Sequence, residues 1–128
     1  MTEVLCMTFM IKKIDHVQIA GPKGCEGLAR EFFSGILGLT EVEKPEELKK
    51  RGGVWFEFGP FQLHIGVEEP FSPAKKAHPA FVVEGIKGLK DHLRENGVTY
   101  TEDDTLPGAS RIYVSDPFGN RLELIEWE

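Results

Sequence analysis

Cysteine is scarce in this sequence, and long apolar runs are absent. Only Cys6 and Cys25 occur in 128 residues. Two cysteines at this spacing fit neither a disulfide framework nor a zinc site built from thiolates. No apolar run approaches the roughly 20 residues that cross a bilayer, and the N-terminal residues lack the basic leader and cleavage site of a signal peptide. We therefore expect a cytoplasmic protein without a membrane-spanning segment.

Excess positive charge is also absent. The formal net charge is −6, and the 15 lysines and arginines are scattered along the chain. A nucleic-acid partner needs a basic patch that neutralises phosphates, so this class of function is disfavoured. The composition, 41% hydrophobic and 28% charged, is that of an ordinary globular protein. A chain of this length can bury the core of one domain without disulfides.

The chain contains an internal repeat with an offset of about sixty residues. The segment around His16 aligns with the segment around His78, and Gly38 aligns with Gly97. Near the end of each half, His64 aligns with Glu123. The identities are few, but their common order and nearly constant offset indicate two copies of one structural unit.

Each copy has the hydrophobic periodicity of one helix flanked by strands. In residues 24–37 apolar residues recur at helical spacing, and Gly38 lies where a glycine cap ends a helix. A weaker helix, with Ile86 and Leu93 on one face, ends before Gly97. A short helix is expected to begin near Pro45. Period-two alternation predicts strands at 11–20, 39–42, 53–59, 61–67, 78–84, 98–103, 110–115 and 121–127.

These elements predict an α+β fold of two tandem βαβββ modules, over about 11–67 and 78–127. We expect the modules to form one domain over residues 11–128, preceded by an N-terminal extension over residues 1–10. The expected architecture is a cupped, incomplete mixed β-barrel with the helices outside, because the apolar strand faces can pack on the helices.

Four polar residues lie on strand faces that point away from the predicted core. His16, His64, His78 and Glu123 each alternate with apolar neighbours such as Val17, Leu63 and Leu124. The repeat relates His16 to His78 and His64 to Glu123, so we expect all four to meet at one centre. Three imidazoles and one carboxylate suit Zn, Ni, Co, Mn or Fe(II), whereas Ca prefers mostly oxygen ligands. Taken singly, each could be a structural residue, and His92 is expected to be solvated on the polar side of its helix.

Arg111 and Tyr113 share one strand face in the second module. If this face is the concave one, they are candidates to bind an anionic or phenolic substrate. The alternative for Arg111 is a salt bridge with an acidic neighbour such as Asp116.

The motifs DHVQIAG, FFSGILGL, QLHIG, HPAFVV and RIYVSDPFGNRLELIE resemble the vicinal oxygen chelate superfamily, which includes glyoxalases, extradiol dioxygenases and bleomycin-resistance proteins. The resemblance implies a homodimer that holds one divalent metal ion and binds a small molecule through neighbouring oxygens. It places His16, His78 and Glu123 at ligand positions of the family, whereas His64 lies where glyoxalase I usually has glutamate.

Three functions remain open from this resemblance. The first is a metal-dependent lyase or isomerase of the glyoxalase type, in which Glu123 is the general base. The second is an extradiol-type dioxygenase, against which the third histidine counts. The third is an antibiotic-resistance protein, either a thiol transferase or a binding protein without catalysis.

Overall fold

The computed structural model describes residues 8–128. Most of the extension predicted over residues 1–10 therefore lies outside the described residues, and 8–10 carry no helix or strand. None of the helices in the described part of the chain is long and apolar enough to cross a membrane.

The first module begins with β1 and continues through one long helix to a three-stranded meander. The long helix is α-helical at first and then widens into a π-helix. In chain order the elements are β1 (Val17–Gly21), α1 (Glu26–Ala29), the π-helix (Arg30–Ile36), β2 (Thr40–Val42), α2 (Glu46–Lys49), β3 (Val54–Phe58) and β4 (Phe61–Val67).

The second module repeats this plan with a shorter first strand. Its elements are β5 (Ala80–Val82), α3 (Ile86–Glu95), β6 (Thr101–Asp103), β7 (Ala109–Ser115) and β8 (Arg121–Trp127).

The two sheets have the same topology. The strand orders are β1-β4-β3-β2 and β5-β8-β7-β6, and in each sheet the first strand of the module pairs parallel with the last. The other strand pairs are antiparallel. This agreement confirms the two βαβββ modules predicted from the repeat. Both sheets are open, so the described strands do not close into a barrel.

Glycines end the two predicted helices as expected. Gly38 and Gly97 have φ values of 79° and 71°, a conformation that residues with a Cβ rarely adopt. The short helix predicted near Pro45 is also present as α2, with Pro45 as its N-cap. Leu28, however, is exposed although it is one of the apolar residues that recur at helical spacing in 24–37.

Three strands reach at most half of their predicted length, and one of them, predicted over 78–84, covers only Ala80–Val82. The strand predicted over 11–20 begins only at Val17. β1 runs parallel to β4, and Val17 lies opposite Leu63. Because β4 begins at Phe61, residues near the start of the predicted strand would have no partner. The strand predicted over 98–103 is reduced to Thr101–Asp103.

One hydrophobic core contains residues of both modules, and it includes Phe33, Phe56, Leu63, Leu93 and Leu122.

A buried asparagine also joins the modules. Asn120 is 1% exposed, and its amide nitrogen donates to the carbonyl oxygen of Ala20 at 2.7 Å. Its amide oxygen accepts from the backbone N–H of Ala74 at 2.9 Å. A buried amide with all these partners fixes the first strand of one module against the last turn of the other.

Candidate functional site

His16 and His64 form a pair on the polar face of the first sheet. Gln18 lies opposite His64 in the parallel register of β1 and β4, so His16 precedes that position by two residues on the same face. The two rings are stacked, with centroids 4.1 Å apart and planes 16° apart. The register thus brings together the first-strand and last-strand residues that the sequence marked.

Neighbouring groups orient these two imidazoles. Asp15 accepts a hydrogen bond from Nδ1 of His16 at 3.0 Å. This tautomer leaves Nε2 of His16 free to coordinate a metal ion. On the other side of the pair, Trp55 stacks on His64 with centroids 3.9 Å apart and planes 4° apart. His64 is therefore held between two rings, and its Nε2 lies 2.8 Å from Oε1 of Gln62.

Burial disfavours the charged form of His64. The side chain is almost inaccessible, and this desolvation lowers the pKa of His64, with the nearby His16 as a second cause. Neutral imidazole is the form that binds a metal ion.

His78 and Glu123 form the equivalent pair in the second sheet. Ala80 lies opposite Glu123 in the parallel register of β5 and β8, so His78 again precedes the opposing position by two residues. Nε2 of His78 lies 2.9 Å from Oε1 of Glu123, and Glu123 is buried. The same spacing in both modules shows that the two halves of the sequence repeat place their polar residues at equivalent positions of the sheet.

Both ring nitrogens of His78 face oxygen atoms that can accept hydrogen bonds. Nδ1 of His78 lies 2.8 Å from the carbonyl oxygen of Lys76, which can only accept a hydrogen bond. Nε2 faces a carboxylate oxygen, which is also an acceptor when ionised. Nε2 of His78 and Oε1 of Glu123 are therefore at hydrogen-bond distance, and both atoms are of the kind that bind a divalent metal ion.

Arg111 and Tyr113 lie beside this second pair. A terminal nitrogen of Arg111 lies 3.3 Å from Oε2 of Glu123, and the other lies 3.4 Å from Oδ2 of Asp103. Tyr113 lies opposite Glu123 across β7 and β8, and its ring centroid is 5.5 Å from that of His78. Both residues predicted to bind substrate are therefore next to two predicted metal ligands.

The salt bridge considered between Arg111 and Asp116 is absent from the described residues, since Arg111 pairs with Asp103 and Glu123 instead. Asp116 is buried and accepts hydrogen bonds from the backbone of Phe118 and Asn120. His92 is exposed as expected, although its Nε2 lies 2.8 Å from the carbonyl oxygen of Ile36.

The four predicted ligands form two pairs on two separate sheets. Within residues 8–128, no group of three or more His, Cys, Asp or Glu side chains lies close enough to hold a metal ion. The structure therefore brings His16 to His64 and His78 to Glu123, but it does not bring the two pairs together in one copy of the chain.

The sequence did not mark Trp55, Asp15 or Gln62 as site residues. Trp55 could have been found, because a hairpin of the strands predicted at 53–59 and 61–67 places Trp55 opposite His64, as observed. Asp15 and Gln62 are local hydrogen-bond partners, and their side-chain directions are not encoded in strand periodicity.

Two βαβββ modules with possible metal ligands at equivalent positions are the arrangement of a glyoxalase-type protein. The profile of the Glyoxalase/Bleomycin resistance protein/Dioxygenase superfamily matches residues 13–124. The chain belongs to this superfamily, whose members generally use a divalent metal ion, bind small molecules and often dimerise.

Solved structures agree with this assignment. A protein from Bacillus anthracis assigned to the glyoxalase family is 52% identical, with a TM-score of 0.92, over 95% of this chain and 100% of that chain. No curated protein sequence matches this chain with statistical significance.

Two further structures share the fold at lower identity. The fosfomycin resistance protein FosX from Listeria monocytogenes has a TM-score of 0.72 and 17% identity, over 93% of this chain and 96% of its own. Lactoylglutathione lyase from Agrobacterium tumefaciens has the same TM-score and identity, over 91% of this chain and 94% of its own. At this identity the likeness shows the fold alone.

Proposed function

We propose that this protein is a metal-dependent lyase or isomerase of the glyoxalase type that acts on a small molecule with neighbouring oxygen atoms. The observation that supports it most is the pair of His78 and Glu123, in which a buried carboxylate lies 2.9 Å from an imidazole nitrogen, because both groups are ligands that a divalent ion prefers.

The donor set fits a divalent ion. Ligand atoms that bind one ion at about 2.1 Å and at right angles to each other are about 3 Å apart. The separation between Nε2 of His78 and Oε1 of Glu123 is 2.9 Å, so both atoms could bind one ion after the imidazole turns its lone pair from the carboxylate towards that ion. The ion would supply Lewis-acid polarisation of the substrate oxygens.

We propose that two copies of the chain complete the centre. His16 and His64 of one copy would face His78 and Glu123 of a second copy, because the described chain does not assemble all four donors. This arrangement makes the protein a homodimer with two equivalent sites.

Within each site we assign separate tasks to the protein side chains. Glu123 accepts the proton from the acidified C–H of the substrate, and Arg111 holds this carboxylate by its 3.3 Å contact. Tyr113, which projects beside both groups, contacts the substrate. Asp15 holds His16 in the tautomer that leaves Nε2 free.

The other candidate functions have less support. A dioxygenase of the extradiol type uses two histidines and one carboxylate with Fe(II), and His64 adds a third histidine here. A binding protein without catalysis has no need for four ionisable donors at repeated register positions. A thiol transferase that acts on an antibiotic would use the same donors, and the assay described next separates it from the lyase.

Metal analysis and a lyase assay test the proposed function. Protein purified without chelators is expected to contain about one divalent ion per chain, and to convert the adduct of methylglyoxal with glutathione or bacillithiol in the presence of Ni, Co, Mn or Zn. Glu123→Gln is expected to lower kcat by at least about 100-fold, whereas the control Glu84→Gln, at an exposed position, leaves it unchanged. Protein without bound metal, or without turnover with any of the four metals, would contradict the proposal.

A further inference from the structure

The polar face of the second sheet contains a cavity of about 500 Å³ beside the pair of His78 and Glu123. This volume is within the range of small-molecule sites. Tyr113 belongs both to the cavity wall and to the surroundings of His78. The lining residues are Lys75, Thr99, Tyr100, Thr101, Tyr113, Val114, Ser115, Gly119 and Arg121.

The charge of this cavity is opposite to that of the whole chain. Lys75 and Arg121 line it, and none of its described lining residues is acidic, although the chain carries a net charge of −6. Cations that gather in one cavity of an acidic protein favour the entry of anions.

Among residues 8–128, Arg121 differs from Arg111 in having no carboxylate partner. Arg111 is held by Asp103 and Glu123, whereas Arg121 forms no salt bridge within the described part of the chain. The guanidinium carbon of Arg121 instead lies 4.0 Å from the centroid of the Tyr113 ring. Stacking on a ring leaves the N–H groups at the edge of a guanidinium available for a bidentate contact with an anion.

The linker between the modules places Lys75, the second cationic residue of the cavity, close to Arg121. The backbone N–H of Arg121 donates to the carbonyl oxygen of Ala74 at 2.9 Å, so Lys75 is the residue adjacent to this hydrogen bond. The hydroxyl groups of Thr101 and Ser115 contribute additional polar lining.

We infer that this cavity binds the acidic group of the substrate, a carboxylate or a phosphoryl group, through Arg121 and Lys75. In calling the ligand the substrate, this inference rests on the proposed function. Arg121 and Glu123 project from the same face of β8, and alternate residues of a strand are about 7 Å apart. The substrate would therefore be a small organic acid, with the acidic group at Arg121 and the chelating oxygens near Glu123.

Anion titration of metal-free protein tests this inference separately from catalysis. Inorganic phosphate and acetate are added in separate experiments at constant ionic strength, and backbone amide signals are followed by NMR. Saturable shifts are expected at Thr101, Tyr113 and Arg121 with at least one of the two anions. Saturation with phosphate alone assigns a phosphoryl group, and saturation with acetate alone assigns a carboxylate.

Matched variants identify the residues responsible. Arg121→Gln is expected to weaken anion binding about tenfold, whereas Arg30→Gln removes the same charge from the first module and has no effect. Lys75→Met, at an exposed linker position, is expected to weaken binding, with Lys87→Met on α3 as its control. A lack of saturation with both anions, or equal affinity in the wild type and both cavity variants, would overturn the inference.

His78→Ala separates this inference from the proposed function. The variant is expected to lose the metal ion and to retain the anion-dependent shifts. If the wild type binds anions at Arg121 but binds no metal ion, the proposed metal-dependent function is wrong, whereas the anion site is confirmed.

Discussion

Gly53 precedes β3 at a point where the backbone has very little space. Its φ is 87°, and an added Cβ would lie 2.2 Å from the carbonyl oxygen of Ile65. Its N–H also donates to Oε2 of Glu26 at 2.6 Å.

Gly53→Ala is expected to lower the free energy of unfolding by about 3 kcal/mol or more, since the clash is with backbone and cannot be relieved by a side-chain rotation. Gly24→Ala is the matched control, because Gly24 has a φ of 82° but open space around its Cβ position. The control should lose only about 1 kcal/mol from the left-handed conformation. Urea denaturation measures both, and equal losses would show that the close approach is unimportant.

Trp55 gives the proposed metal centre a fluorescence signal. In a Trp127→Phe background Trp55 is the remaining tryptophan, and it stacks on His64. Binding of Ni or Co to His64 is expected to quench this fluorescence by energy or electron transfer, whereas Zn, which has a filled d shell, should quench it far less. Adding His64→Ala should abolish the quenching. Quenching that persists in this variant would place the metal elsewhere.

At the level of elements, the parallel strand pairs explain why the two modules present the same polar pair. β1 with β4 and β5 with β8 have equivalent registers, in which the first-strand histidine lies two residues before the position opposite His64 or Glu123. A shift of one residue in either register would turn one member of the pair into the core.

Helix α3 depends on a side chain from β8 for its N-terminus. Its N-cap is Gly85, which has no side chain to accept the first N–H groups. Glu126 accepts them instead, from Gly85 at 2.9 Å and Ile86 at 3.0 Å. These two hydrogen bonds lower the pKa of Glu126 from its ordinary value of 4.5.

The Glu126 cap is expected to make the stability of the fold sensitive to acid. Because the pKa of Glu126 is lowered in the folded state, its stabilisation is fully present above its unfolded pKa and is lost as the pH falls through the folded value. Urea midpoints of the wild type should exceed those of Glu126→Gln at neutral pH and converge with them in acid. Glu95→Gln, at an exposed position of α3, is the control. A difference that is independent of pH would contradict this role.

At the scale of the whole molecule, the separation of the two pairs of proposed metal ligands means that a centre with all four ligands needs two copies of the chain. If each metal centre takes one pair from each of two copies, a variant without either pair cannot form any complete site. A mixed dimer of two complementary variants, however, has one centre with all four donors and one with none.

Mixing variants therefore tests the shared centre. The double variant His16→Ala with His64→Ala and the double variant His78→Ala with Glu123→Ala should each lack bound metal. After subunit exchange, an equal mixture is expected to recover about a quarter of the wild-type metal content, since half of the dimers are mixed and each has one complete site. Mixing two samples of one variant is the control. No recovery, despite proven exchange, would contradict a shared centre.

The sequence by itself determined the two modules, their helices and the polar face on which each donor lies. These features depend on periodicity and on glycine stops, which act over a few residues. The repeat related His16 to His78 and His64 to Glu123, whereas the pairs of His16 with His64 and of His78 with Glu123 are visible only in the strand registers of the structure. Only the tertiary structure decided that the two pairs are separate in one chain. It also decided that Trp55 stacks on His64 and that Arg111 forms salt bridges with Asp103 and Glu123. The distance between the sheets is set by packing between distant residues such as Asn120 and Ala20, and strand periodicity contains no information about that packing.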